Sequence, residues 1–249
     1  MKQSRCTGML FCVALVFLLT SCGGNGSEEK TNKDTAVTTK DTTATTVAPP
    51  VNTIITTPET MAAITHKVAS FAKWLVAYEG HDSARRANGL HNYVIARGLQ
   101  DTNMVMVVLK ADDVAKAKAF AKDPGLKKAM QNAGVTGTPS FLIFTSTWQD
   151  TVALKPGTLR SRTIFSVKDF DIWFKNFQEG KQERMDNGIT DRVVGHDVDD
   201  NKKVALVTAV QDTAKAFAYY KSDALKKRRE AGGVTGEPAR FLFNIVKRY

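Results

Sequence analysis

Cysteine is nearly absent from this chain. Three occur in 249 residues, Cys6, Cys12 and Cys22. Beyond residue 22 there is neither an internal disulfide nor a thiolate metal centre. Histidine is almost as scarce, with four residues, His66, His81, His91 and His196. No two of them stand at a metal-ligand spacing, and no Ser, Cys and His constellation for nucleophilic catalysis can be assembled. No apolar run reaches the roughly 20 residues of a membrane span. The run GMLFCVALVFLL stops at 12. The Gly-rich stretches lack the Gly-Lys-Ser/Thr of a phosphate loop. These absences leave no catalytic residue, cofactor or metal to expect.

What is present begins with the N-terminus. Lys2 and Arg5 precede the short apolar run, the pattern of an export signal. The run ends in LTSC, Leu19–Cys22, followed by two glycines. This resembles a bacterial lipobox, which implies cleavage after residue 21 and lipid attachment at Cys22. Gly and not Asp follows the cysteine, so the expected address is the outer membrane, on its periplasmic or surface side. SEEK, at 27–30, resembles the acidic sorting signals of surface lipoproteins. Residues 22–58 are Thr-rich, hold a Pro pair and show no period, which is the composition of a disordered tether.

The formal charge of +10 falls mainly on residues 59–249, which carry +9. That favours an anionic ligand or surface. The densest run, KKRR at 226–229, reads as a solvated helix face. Nothing interleaves aromatic and basic residues as a nucleic-acid reader would, so no nucleic-acid partner is expected. HDVDDN, at 196–201, holds three carboxylates and a histidine but straddles a hairpin turn, where Asp and Asn belong anyway.

The dominant feature is a duplication. Residues 68–144 slide onto 167–243 without a gap, and 25 of the 77 pairs are identical. The pairs include Phe71/Phe170, Trp74/Trp173, Arg85/Arg184, Asn88/Asn187 and Pro139/Pro238. Each copy starts with a strand and continues into a helix with an aromatic i, i+3, i+4, i+7 stripe. Ser70 and Asp169 are its candidate caps, and Asn-Gly its stop. Two strands follow, then a second helical stretch, broken near Pro124 in the first copy. That stretch ends at GVTG, at 134–137 and 233–236, and a last strand closes the unit. The order is ferredoxin-like β-α-β-β-α-β, an α+β fold. The expected layout is a first repeat at 59–146, a connector at 147–158 and a second repeat at 159–249. In it, Gly134 ends a helix in the left-handed region, so the repeated glycines are architectural.

The aromatic first helices with Trp74 and Trp173, the Asn-Gly stops and the closing helix DVAKAKAF…LKKAMQNAGVTGTP resemble the dimeric α/β-barrel superfamily. Within it they are similar to antibiotic-biosynthesis-monooxygenase-like and stress-responsive barrel proteins, over about 180 residues and without a catalytic signature. The resemblance implies that each sheet covers the other, so a tandem copy builds the family's dimer within one chain and needs no oligomer. The competing layout is two beads with separate sheets.

Candidate ligand-binding residues follow from the pattern. Arg85 stands eleven residues after Trp74, about 20° from it in helical projection, and so continues the apolar stripe. Arg184 does the same beside Trp173. A guanidinium there either clamps an anion or snorkels to backbone carbonyls. No acid is repeated at a matched position on the second strand. That strand places His91, Tyr93 and Arg97 on one face, matched by Thr190, Arg192 and His196, at the rim or a barrel end. Trp74 and Trp173 serve either such a pocket or the core. Three functions remain open: a non-catalytic binder of a small anionic or aromatic ligand or of a protein partner, a cofactor-free monooxygenase-like enzyme, and a structural surface lipoprotein.

Overall fold

Strand 59–68 alternates, with Met61, Ala63 and Thr65 turned one way and Ala62, Ile64, His66 and Val68 the other. Both faces are buried, and this double burial defines the architecture. The computed structural model describes residues 52–249. The expected signal segment, Cys22, SEEK and the Thr-rich stretch up to residue 51 lie outside the described residues.

The order is β1 (Ile54–Ile55), β2 (Glu59–Val68), α1 (Phe71–Gly80), α2 (Asp82–Ala87), β3 (Leu90–Gly98), β4 (Met104–Ala111), α3 (Val114–Ala121), α4 (Pro124–Asn132) and β5 (Val135–Asp150). It repeats as β6 (Leu159–Val167), α5 (Phe170–Glu179), α6 (Lys181–Asp186), β7 (Ile189–Asp197), β8 (Lys203–Val210), α7 (Thr213–Tyr220), α8 (Asp223–Ala231) and β9 (Val234–Arg248). Each half pairs its strands in ferredoxin-like order, β5-β2-β4-β3 and β9-β6-β8-β7. The halves then join twice, β3 to β9 and β5 to β7, both antiparallel. Eight strands therefore close on themselves. The two-bead layout does not hold, because the edge strands of one half pair with those of the other.

Helices cover the outside. Trp74, Ala117 and Phe120 pack on Ala62, Ile64, Val68 and Val107, and Trp173 and Phe177 pack on Phe165, Val167 and Val204. The opposite strand faces meet inside the barrel, with Met61, Ala63, Leu142, Phe144 and Ala205 in one cluster and Ala96, Met106 and Phe243 in another. Closure requires a tight approach at one seam. A Cβ on Gly195 would lie 2.2 Å from the carbonyl oxygen of Thr145 on β5.

Several local expectations are refined. The long helices break in both halves, at Gly80–His81 and at Gly180, and again at Lys221–Ser222 where no proline stands. There the Ser222 hydroxyl accepts from the Leu225 amide and starts a new helix. Asp169 caps α5 through the Ile172 amide, whereas Ser70 makes no such bond. Gly134 and Gly233 adopt φ of 78° and 71° at the helix ends. Strand β5 runs to Asp150, beyond residue 146, because its end is paired by Ile54–Ile55, inside the stretch expected as tether.

Candidate functional site

The strand after each helix pair carries a β-bulge at the same place. Asn92 pairs with Leu109 and Val94 with Val108, leaving Tyr93 as the extra residue. Asp191 pairs with Thr208 and Val193 with Val207, leaving Arg192 extra. A bulge re-aims a side chain. Here both bulged residues line one cavity of about 590 Å³ at an end of the barrel. Its volume lies within the range of about 300–1,000 Å³ that holds a drug-sized ligand.

Six pairs of equivalent positions, 99 residues apart, line this cavity, so it sits astride the pseudo-twofold axis. Val94/Val193, Val108/Val207 and Phe144/Phe243 are identical. Met61/Arg160, Tyr93/Arg192 and Gln149/Arg248 are not, and each difference puts an arginine in the second half. Three arginines thus face Met61, Tyr93 and Gln149, and Asp150, Lys155 and Lys247 also belong to the lining. The connector Thr151–Gly157 completes the lining. It is tied down by Thr151 to Thr53, by Arg192 Nη2 donating to the Val152 carbonyl at 2.6 Å, and by Asn244 donating to the Gly157 carbonyl at 2.8 Å.

The arginines are under-compensated. Arg160 is 7% exposed and has one long hydrogen bond, 3.4 Å to the Thr158 carbonyl. Arg192 is equally buried; its Nη1 lies 3.5 Å from Asp150 Oδ2 without a hydrogen bond. Burial, then the charges of Arg248 and Arg192, push the Arg160 guanidinium down to about 10, so it stays protonated at neutral pH. Burial also lowers Arg192, against the pull of Asp150. Two residues beyond Arg160, Arg162 donates to Thr65 Oγ1 at 2.9 Å, and burial lowers it too. Cationic groups buried without matching acids are costly.

The remaining sequence candidates divide. Arg184 is saturated: Nε and Nη2 clamp Asp191 at 2.8 and 2.6 Å, and Nη1 reaches the Phe177 carbonyl at 2.7 Å. The acid that a matched-position search misses is this one, because its equivalent is Asn92. Arg85 donates to Asn92 at 3.0 Å and Asp82 at 3.3 Å, and lies over the Tyr78 ring. Trp74 and Trp173 are core residues, 2% and 5% exposed. The bulge breaks the expected single face of the second strand. Tyr93 and Arg192 turn to the lumen, exposed His91 meets Asp112, Arg97 stacks on Phe71, and His196 sits edge-on to Phe170. In the 196–201 turn, Asp197 and Asp199 are engaged by Lys203 and Lys118.

Smaller cavities lie between helices and sheet, about 70 Å³ beside Trp74 and Arg85 and about 80 Å³ beside Trp173 and Arg184. By comparison, an apolar cavity of roughly 150 Å³ holds benzene. The first contains His66, 3% exposed, with no hydrogen-bond partner for either ring nitrogen. Burial pushes its imidazole down to about 4. The equivalent residue is Phe165, packed on Trp173.

No protein-family model matches the chain, nor does any curated protein. Solved structures do. An anthrone oxidase-like protein covers 79% of this chain and 95% of its own at 12% identity, with a TM-score of 0.54. A monooxygenase-like protein of Fusobacterium nucleatum covers 76% and 93% at 14% identity, with a TM-score of 0.51. The chain thus shares its ferredoxin-like α/β-barrel fold with these proteins; at such identity the likeness extends to the fold alone.

Proposed function

We propose that the chain is an exported lipoprotein, anchored through Cys22, whose duplicated barrel binds a small anionic ligand at the barrel end without catalysis. The observation that carries this reading is the wall of Arg160, Arg192 and Arg248 facing Met61, Tyr93 and Gln149 across a cavity of about 590 Å³. Duplication would by itself leave two equal walls. Burying two of these guanidiniums, Arg160 and Arg192, costs stability, and a bound anion offsets that cost. The neighbours' oxidase and monooxygenase descriptions do not transfer a reaction. The cavities between the first helix of each half and the sheet, beside Trp74 and Trp173, where an enzymatic reading would need a ring system, are about 70 and 80 Å³.

A thermal-shift screen of the purified chain against organic acids, their neutral amides, quinones and haem tests this. A ligand at 100 times its dissociation constant adds about 2.7 kcal/mol. Acids should raise the melting temperature and their amides should not. Equal shifts from acids and amides, or a response from haem or quinone alone, would contradict it.

A further inference from the structure

The walls of the barrel-end cavity differ in more than charge. Below the arginines the lumen is lined by Met61, Met106, Val108, Phe144, Val207 and Phe243, with no ionisable side chain among them. At the head, two well-buried guanidiniums, Arg160 and Arg192, face one carboxylate, Asp150. Both oxygens of Asp150 are already in use: Oδ1 accepts from Thr53 and the Val152 amide, and Oδ2 lies against Arg192. Of these two, Arg160 is the guanidinium without an acid; Arg162, deeper on the same strand, is held by Thr65 and Met106. Resting on the reading of this cavity as an anion site, we infer that its ligand is an amphipathic monocarboxylate. The carboxylate sits on Arg160 and Arg192, the apolar body fills the lumen, and one molecule binds per chain.

The chemistry sets each part. A planar guanidinium donates to a carboxylate bidentately, and Arg160, whose one hydrogen bond is 3.4 Å long, has donors left for it. A second carboxylate on the same body would have to lose its water among Met, Val and Phe side chains, beside an Arg162 guanidinium already engaged by Thr65 and Met106, which disfavours a dianion. Two methionines among the apolar groups let the lumen adapt to different bodies. Because the cavity spans the pseudo-twofold axis, the duplicated chain has one such site and not two. An alkyl and an aryl acid share this chemistry, and the titration below separates them.

The test is isothermal titration of the full-length chain in detergent-free buffer. The probes are acetate, hexanoate, octanoate, 4-phenylbutyrate, octanol and octanedioate. The expected result is octanoate binding at one per chain, tightening about fourfold per methylene from hexanoate upward. Acetate, octanol and octanedioate should each bind at least tenfold more weakly. If 4-phenylbutyrate is bound more tightly than octanoate, the body is aryl; if less tightly, it is alkyl; either fits a monocarboxylate with an apolar body. Arg160→Met should lower octanoate affinity at least tenfold. Val207→Phe, which fills the lumen, should abolish the gain from tail length. Circular-dichroism melts check that both variants fold, and Val108→Phe replaces Val207→Phe if it does not. Acetate binding as well as octanoate, octanedioate binding better, or two sites per chain would overturn this inference while leaving an anion site standing. An absence of binding by every anion would overturn the proposed function itself.

Discussion

At the scale of single residues, two kinds of buried arginine coexist, and they should respond oppositely to the same substitution. Arg184 is held by Asp191 and the Phe177 carbonyl at 2.6–2.8 Å. Arg184→Met leaves Asp191 buried and alone, which should cost about 3–5 kcal/mol. Arg160 has no acid and one long bond. Arg160→Met removes an uncompensated charge and should stabilise the ligand-free chain by about 1 kcal/mol or more, about 2–4 °C in melting temperature. Urea denaturation of both variants beside wild type reads the contrast. Two losses of similar size would mean that both arginines are structural.

His66 gives the fold a pH dependence. Its folded pKa of about 4 lies below the unfolded value of 6.5, so the neutral ring is the form that fits. Above about pH 6.5 the group contributes no penalty. As pH falls from about 6.5 to about 4 the unfolded chain binds the proton and the folded one does not. Stability then drops by up to about 3 kcal/mol. His66→Phe, which copies Phe165 of the other half, should remove this slope. The check is the difference between variant and wild-type urea midpoints at pH 7 and pH 5. A constant difference would show that His66 is solvated.

At the scale of elements, the sequence exposed regular pattern and hid irregularity. The aromatic stripes, the Asn-Gly stops and the 99-residue echo led directly to eight paired strands. The bulges at Tyr93 and Arg192 were not legible, because a strand's alternation gives no sign of one inserted residue. They separate Tyr93 and Arg192 from His91 and Arg97. The breaks at Gly80–His81 and Lys221–Ser222 were hidden for a similar reason: the apolar stripe continues across them. Arg160 and Arg248 were missed because the residues sought were those the copies share, within 68–144 and 167–243. The signal lay just outside, where the copies differ. Gly195 is also a difference, its equivalent being Ala96. Gly195→Val puts side-chain atoms into the Thr145 carbonyl on β5. It should destabilise by at least about 2 kcal/mol. A melt within 1 °C of wild type would mean that the β5–β7 seam is looser than described.

At the scale of the whole molecule, the fold makes one lumen from two copies, and the lumen carries its arginines on one side. The outer clusters repeat, with Trp74 and Trp173 in corresponding places. Around the cavity the copies differ at Met61/Arg160, Tyr93/Arg192 and Gln149/Arg248, each time with the arginine in the second half. The anchor is a separate claim. A palmitate analogue supplied to expressing cells should label the wild-type chain and not Cys22→Ser, and equal labelling of both would remove the lipoprotein reading without touching the cavity.

The central claim is that a guanidinium in this shared cavity binds an anion. It is tested most directly by titrating octanoate into three chains: wild type, Arg160→Met, and Arg160→Met combined with Met61→Arg, which moves the arginine to the equivalent position across the pseudo-axis. The account predicts at least a tenfold loss in the single variant and recovery of most of it in the double variant. Wild-type affinity in Arg160→Met would contradict it.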